Sequence, residues 1–447
     1  MVDYKKYFKG KRVTIVGLGL LGKRLGDIAF LAECEAQVTV TDLKPRKELL
    51  PSVKKLAKYK NIAYVLGEHR FEDFENKDFI LKGQGVALDS PYIAHAREKG
   101  IPVEMDESLF AKLAPEVKIV GVTGTRGKST TTALIYKILK SAGKRVHLGG
   151  NVLGTAALPL IKKVKPGDIA VFELSSWQLQ GFGEAMISPN IAVFTNFLPD
   201  HMNYYKSDMD QYFLDKSYVY KFQKKPARNA FSIADTGGGD ALILNQNLAG
   251  KVPKGPQKTV IANPDKVPAD WKIKIPGKHN LENIACAIEV AKLFNIDEEK
   301  VKRAVESFKT MPGRLELVKT IRGIKIYNDT NSTTPDSTIV ALNSFSLPVI
   351  LIMGGADKSL PMDNLLKILP GKTKKIYLTP GNGSDRVKVK GVNIEKVKDL
   401  SDAVKRSTKF AKSGDVILFS PAFASFNMFK NEYDRGEKFM KIVKSLK

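Results

Sequence analysis

Between Val117 and Gly143 the chain reads VKIVGVTGTRGKSTTTALIYKILKSAG, an apolar strand, a glycine turn and then a helix. Gly124, Thr125, Gly127, Lys128, Ser129 and Thr130 occupy the strand-to-helix junction, and their chemistry is that of a polyphosphate grip. Backbone N–H groups of such a turn, together with the helix N-terminus, point at phosphate oxygens. Lys128 is placed to reach the terminal phosphates and Ser129 to hold Mg²⁺. The ligand implied is a nucleoside triphosphate, ATP in the first instance. The common GxxxxGK[ST] pattern wants glycine at position 122, where this chain has Val122 between Gly121 and Gly124. The loop is therefore a shifted relative of the common form, specific for nucleotide binding and open as to the reaction.

A second glycine cluster stands near the start. Gly17, Gly19 and Gly22 form GxGxxG after the strand candidate Arg12 to Val16, and Asp42 follows about twenty residues later at the end of the next strand. Alone, this fingerprint implies an NAD-dependent oxidoreductase. A phosphate loop and a third α/β segment have no role in simple hydride transfer, so the rest of the chain argues against it.

The elements that must position these turns follow one pattern. Short β-branched runs alternate with segments of helical period, which predicts an α/β protein with helix-covered parallel sheets. Further strand candidates are Gln37 to Val40, Phe79 to Leu81, Lys118 to Val122, Asp168 to Phe172, Asn190 to Phe194, Ile324 to Tyr327, Val349 to Met353, Lys375 to Leu378 and Asp415 to Phe419. A helix is expected over Asn280 to Phe294, with an apolar stripe at Leu281, Ile284, Ala285, Ile288 and Ala291. A glycine-rich stretch near Thr236 to Asp240 is irregular. Proline-bearing stretches near Leu113 to Val117 and at Met311 to Arg314 divide the chain into three expected domains: 1–113, Rossmann-like; 114–312, P-loop ATPase-like; and 313–447, Rossmann-like.

Composition agrees with a folded chain. Of 447 residues, 43% are hydrophobic and 27% charged, enough apolar surface to offset the entropy of ordering. Seventy-two Lys and Arg against 47 Asp and Glu leave a net charge of +25. That field suits polyanions, from nucleotides to nucleic acid or an anionic membrane, and equally a lysine-rich cytoplasm or thermal adaptation. Cys34 and Cys286 have no CxxC spacing, which excludes a disulfide framework and a structural zinc site and fits a reducing, cytoplasmic setting. The N-terminus imitates a signal peptide, but three glycines interrupt Val13 to Leu21 and Lys23-Arg24 follow directly, so a strand entering a glycine turn is the better reading. No apolar run is long enough to span a bilayer. Neither nucleic acid nor membrane insertion is expected, and the chain is read as a monomer.

The form TGTRGKSTTT resembles the Mur ligase family, ATP-dependent enzymes that add amino acids to the peptidoglycan precursor. The blocks GGNVLGTAAL, ELSSWQL, DHMNYY, DKSYVY, GKHNLENIACA, MPGRLE, YNDTN, MGGADKS and SPAFASFNMF resemble family blocks in the same order, covering residues 10 to 440. ELSSWQL, DHM, SPAFAS and the N-terminal GLGLLG are most similar to the branch that joins D-glutamate to UDP-N-acetylmuramoyl-L-alanine. The resemblance implies attack of a substrate carboxylate on the γ-phosphate of ATP, giving an acyl phosphate that the incoming amine converts to an amide. Such chemistry rests on positioning and charge neutralisation.

Roles follow by resemblance. Ser129 and Glu173 would hold Mg²⁺ between the β- and γ-phosphates, and His201 a second Mg²⁺. Lys216 matches a lysine that many members carbamylate, which replaces an ammonium by anionic oxygen suited to a hard cation; without that context, a lysine on a helix is a solvated face. Asn280 and Asn283, at i and i+3 on one helix face, could read an adenine edge, or Asn280 could cap the helix. Arg314 and Asp329 would reach the ATP phosphates and ribose, unless Arg314 is mere linker charge. Lys358, Ser425 and the backbone near Phe426 would hold the carboxylates of the incoming amino acid. The turn Gly17 to Gly22, with Leu20, would face the UDP diphosphate and Asp42 the uracil; Gly85, Asn151 and Ser175 fall in the remaining acceptor-binding blocks.

Four positions depart from the family pattern. Arg126 replaces an Asn of the phosphate loop, Asn331 a lysine near the amino-acid site, and Gly83-Gln84-Gly85 an SPG turn. Glu432 stands where an aromatic residue lines the amino-acid pocket, and a negative charge pointing inward would disfavour glutamate. A family ligase adding a different amino acid, or using another nucleotide-linked acceptor, is the alternative these departures keep open.

Overall fold

The run Arg12–Val16 has no polar face: four of its five residues are buried, as in a strand covered on both sides. It is β1 of a computed structural model that describes residues 1–446 except 20–22, 88, 152–155, 203, 226–238, 254 and 427. With β2 (Gln37–Asp42), β3 (Ile62–Leu66), β4 (Phe79–Leu81) and β5 (Val103–Glu104) it forms a parallel sheet of order β3-β2-β1-β4-β5. Six further strands, β6 (Lys118–Thr123), β7 (Val146–Gly150), β8 (Ile169–Glu173), β9 (Ile191–Phe194), β10 (Ala241–Asn245) and β11 (Lys258–Ala262), form a second parallel sheet of order β11-β10-β9-β6-β8-β7. The third comprises β12 (Glu316–Ile321), β13 (Ile324–Asn328), β14 (Val349–Met353), β15 (Thr373–Leu378), β16 (Ile394–Lys396) and β17 (Val416–Phe419) in the order β12-β13-β17-β14-β15-β16. The α/β class read from the sequence holds.

Seven of these strands, β3, β5, β7, β10, β11, β12 and β16, lie outside the strand candidates read from the sequence, and for β12 the reason is physical. β12 is an edge strand without a fully buried residue, and it pairs antiparallel with β13. Arg322 and Gly323 join the two, both at positive φ (49° and 77°), which a two-residue hairpin turn requires. The helix expected from Asn280 begins two residues earlier, at Lys278, and ends at Leu293.

The chain divides into two compact units, Met1–Ala269 with Glu282–Val305, and Asp270–Leu281 with Glu306–Lys447. Within the first, both sheets share one buried cluster: Phe110, on the helix Asp106–Leu113, meets Phe172 of β8 edge-on at 5.2 Å. Within the second, β14 alternates its side chains between two cores. Val349, Leu351 and Met353 enter one, Ile350 and Ile352 the other, as the two-residue period of a strand dictates. Each sheet thus delivers its carboxyl-edge loops from a rigid base. No helix among the described residues is long and apolar enough to cross a membrane.

Candidate functional site

Strand order sets the central site. β6 lies between β9 and β8, so the loop after it is flanked by Glu173, which ends β8, and Thr195, which follows β9; ligands of open α/β sheets sit in such crevices. Gly124 has φ 139°, and a Cβ there would fall 2.0 Å from Thr195 Oγ1. Gly127 has φ 83°, with Asn283 Oδ1 2.3 Å from where its Cβ would be. Both are places only glycine fits. Gly127 is also the N-cap of the helix Lys128–Ser141 and brings no side chain to cap it, so the first-turn N–H groups, at half-buried Ser129 and Thr130, are left for an anion. Asn283 accepts a hydrogen bond from Thr131 Oγ1 at 3.2 Å and so backs the loop. Thr125 is buried, donating to Leu198 O at 3.0 Å.

Two ammonium groups converge on this loop. Lys128 Nζ donates to Gly124 O and Thr125 O, each at 3.0 Å, and Lys216 Nζ donates to Gly124 O at 2.9 Å. Lys216 lies in the last turn of the helix Met209–Ser217, 1% exposed, its Nζ 4.6 Å from the centre of the Tyr212 ring. Burial, reinforced by the Lys128 charge, holds the Lys216 amine well below the ordinary lysine range. The two amines meet at one carbonyl, and burial disfavours the charged form of Lys216.

His201 is held at φ 57° with its ring 4.6 Å from that of Trp177. Burial lowers its pKa despite Asp200, whose carboxylate lies 3.7 Å from Nε2. Burial opposes ionisation of Asp200, but Arg126, His201 and Lys128 outweigh it and keep its pKa low. Arg126 Nη1 contacts Asp200 Oδ2 at 2.9 Å, which gives this departure a definite partner. Glu173 is buried at the end of β8 and accepts from Asn151 Nδ2 at 3.4 Å. Ser175 closes a capping box with Gln178 at the start of the helix Ser176–Glu184. Among the described residues no three His, Cys, Asp or Glu side chains cluster to hold a metal unaided. The hydroxyl of Ser129, the carboxylate of Glu173 and the imidazole of His201 are donor types that a cation can accept alongside phosphate oxygens and water.

In the first sheet, the loops after β1 and β4 flank the matching crevice. Gly17 and Gly19 turn at φ 89° and 68°. Asp42 accepts from Leu18 N at 2.8 Å, Gly19 N at 3.3 Å and Lys44 N at 2.9 Å, so its carboxylate shapes the turn. Leu20 and Gly22 lie outside the described residues. Gly85 has open space where a Cβ would sit.

In the second unit, Asn280 Nδ2 donates to Pro276 O at 2.6 Å, tying the helix start to the chain that enters it. Asp329 is buried, accepting from Leu315 N at 3.1 Å and Ser420 Oγ at 2.8 Å, and burial raises its pKa to about 6. Arg314 is exposed. Lys358 Nζ, also exposed, reaches Thr333 Oγ1 at 2.9 Å. Buried Ser425 and 60%-exposed Phe426 line a small cavity with Gly354, Gly355 and Arg435.

Residues 11–104 match the Mur ligase MurD-like N-terminal domain, 122–252 the Mur ligase middle domain, and 313–423 the Mur ligase glutamate ligase domain. The UDP-N-acetylmuramoylalanine–D-glutamate ligase of Roseiflexus sp. (strain RS-1) is 34% identical over 98% of this chain and 99% of its own. The chain belongs to the Mur ligase family. The enzyme of the same name from Clostridium kluyveri is 34% identical over 99% of each chain. Solved Mur ligases share the fold: MurF of Thermotoga maritima, in complex with ADP, has a TM-score of 0.59 at 18% identity, covering 99% of this chain and 98% of its own. UDP-N-acetylmuramate–alanine ligase MurC of Thermotoga maritima has 0.58 at 20%, covering 98% and 100%.

Sequence reasoning passed over Thr195, Asn196, Asp200 and Tyr212. Asn196 Oδ1 accepts from Arg126 N at 2.8 Å, and its backbone carbonyl accepts from Thr125 N at 2.9 Å. Thr195, Asn196 and Asp200 share one local signal, the run TNFLPDH after an apolar strand; Tyr212 lies beyond it, on the helix Met209–Ser217.

Proposed function

We propose that this Mur ligase joins D-glutamate to UDP-N-acetylmuramoyl-L-alanine at the expense of ATP, in the cytoplasm. The observation that carries the reading is the convergence of Lys128 and Lys216 on Gly124 O, between Glu173 and Thr195. The full-length likeness to D-glutamate ligases supports the choice of substrates.

In this reading residues 1–113 hold the UDP precursor, 114–312 hold ATP and 313–447 hold the amino acid. Lys128 and the N–H groups at the Gly127 cap orient the γ-phosphate, and Lys216 keeps positive or, as a carbamate, metal-binding character beside it. Ser129, Glu173 and His201 would hold Mg²⁺, which neutralises charge on the phosphate oxygens. The acceptor carboxylate attacks the γ-phosphorus as its bond to the β,γ-bridging oxygen breaks and ADP departs. The amine of D-glutamate then attacks the acyl carbon, loses a proton and expels phosphate.

Phosphate release from ATP with UDP-N-acetylmuramoyl-L-alanine, across a panel of D- and L-amino acids, tests this, with the nucleotide product read by mass. D-Glutamate alone should give turnover and the matching mass gain. Turnover with another amino acid would assign the departures Asn331 and Glu432 to a changed pocket, and none with any would remove the acceptor or the ligase reading.

A further inference from the structure

The turn after β4 and the helix bearing Lys216 are joined by a buried polar chain that the phosphate chemistry does not use. Lys82, immediately after β4, is only 4% exposed, and its Nζ donates to Gln180 Oε1 at 2.6 Å. Gln180 Nε2 donates onward to Asp215 Oδ2 at 2.7 Å. Asp215, 2% exposed, also accepts from Tyr205 OH and Gln211 Nε2, both at 2.9 Å. Tyr204 OH lies 3.2 Å from Gln180 Nε2 and donates to Val86 O at 3.1 Å. Both ends of the Gly83–Gly85 turn, Lys82 and Val86, are therefore anchored in a network whose far end is the residue before Lys216.

Burying an ammonium is costly, and a core that needed only filling would be as stable with an apolar side chain here. Burial and the Arg97 charge lower the Lys82 pKa to about 8, against the pull of Asp215 and Glu184. On the helix Met209–Ser217, Asp215 and Lys216 project about 100° apart. Three hydrogen bonds that fix the Asp215 carboxylate thus also fix the direction in which Lys216 reaches Gly124 O.

We propose that Lys82 is a positioning residue, coupling the 83–86 turn to Lys216 through Gln180 and Asp215, so that filling the acceptor site and placing the Lys216 amine become one event. This rests on the ligase reading above.

The test is Lys82→Met in the full chain. ATP affinity should stay within about twofold while kcat falls about tenfold or more and the acceptor KM rises, as loss of a networked group implies. The melting temperature should hold or rise, because a buried charge is gone; a purely structural lysine would lower it. Hydrogen exchange should quicken in 83–87 and 209–217 and nowhere else in the first unit. Should Lys82→Met fail to fold, Gln180→Glu keeps an acceptor for Lys82, removes the donor to Asp215 and should lose kcat in the same way. Folded variants with kcat, acceptor KM and exchange unchanged would overturn the coupling. If the wild-type chain ligates no amino acid, the ligase reading fails by itself, and exchange in 209–217 alone then supports or overturns the link.

Discussion

Each unit buries a long basic side chain near its site, and the two are held in opposite ways. Arg435 in the second unit donates to Thr330 Oγ1 at 3.1 Å, Thr330 O at 2.8 Å and Phe423 O at 3.1 Å, so its guanidinium pins two loops together. Lys216 in the first unit has the Gly124 carbonyl and the Tyr212 ring, and it faces a second ammonium across that carbonyl. A saturated cation is scaffold; one held against its like is poised for something else. Of the groups read as meeting the amino acid, Lys358 and Phe426 are exposed and Ser425 is buried, whereas around the phosphate loop Thr125, Glu173 and Lys216 are buried and Lys128, Ser129, Thr130 and His201 half-buried. Phosphoryl transfer depends on fixed charge, while an amino-acid pocket can be rewritten at its rim.

Removing each cation should break the comparison most clearly. Lys216→Met should fold with unchanged or greater stability and lose about 10³-fold in single-turnover phosphate release, since in the proposed reading it deletes a group preset beside the reacting phosphate. Arg435→Met should instead cost the second unit about 3 kcal/mol or more, because it strands buried acceptors at Thr330 and Phe423. The chain has two tryptophans, Trp177 in the first unit and Trp271 in the second, so Trp271→Phe and Trp177→Phe backgrounds let urea unfolding be read unit by unit. If Lys216→Met unfolds the Trp177 unit, or Arg435→Met leaves the Trp271 unit intact, the contrast is wrong.

The same probes sharpen it by pH. Lys82 is held at about 8 against an ordinary 10.5, so the folded first unit disfavours its proton. The penalty is complete below pH 8 and vanishes as pH rises towards 10.5, a gain on the order of 3 kcal/mol that Lys82→Met should abolish. Asp329 is raised from 3.8 to about 6, so the folded second unit favours its proton. Its contribution is present below 3.8 and is lost as pH rises through 6, again on the order of 3 kcal/mol, and Asp329→Asn should flatten that limb. The first unit therefore gains in alkali where the second has already lost in mild acid. Parallel profiles for Trp177 and Trp271 would contradict both assignments.

What could be read from the residues alone follows the range of the interactions. The phosphate loop was legible because strand, turn and helix are contiguous, and the turn glycines announce their backbone. Asp200 and Thr195 were not, because they meet the loop only through the order β9-β6-β8, which no local pattern encodes. Lys82 carries no signal of its own in the sequence, because its buried partner, Gln180, stands 98 residues away. β12 was hidden by its edge position, which leaves its run half polar. The departure at Arg126 became intelligible only with Asp200 in view.

Glu432 offers the finest test of the second unit. It begins the helix Glu432–Ser445, where a carboxylate favours the positive end of the helix, and its charge supports Arg435 one turn on. Its carbonyl accepts from Thr330 Oγ1 at 3.2 Å, on the loop that Arg435 pins. The helix end and the Arg435 charge suit an acid at this position without any role towards the substrate. Glu432→Gln should then cost only about 0.3–1 kcal/mol in Trp271-detected unfolding, and the KM for the amino acid should stay within about twofold. A large fall in KM on removing the charge would mean that the carboxylate faces the incoming amino acid after all. The exposed rim would then be shaping specificity from the same turn of helix that the buried arginine stabilises.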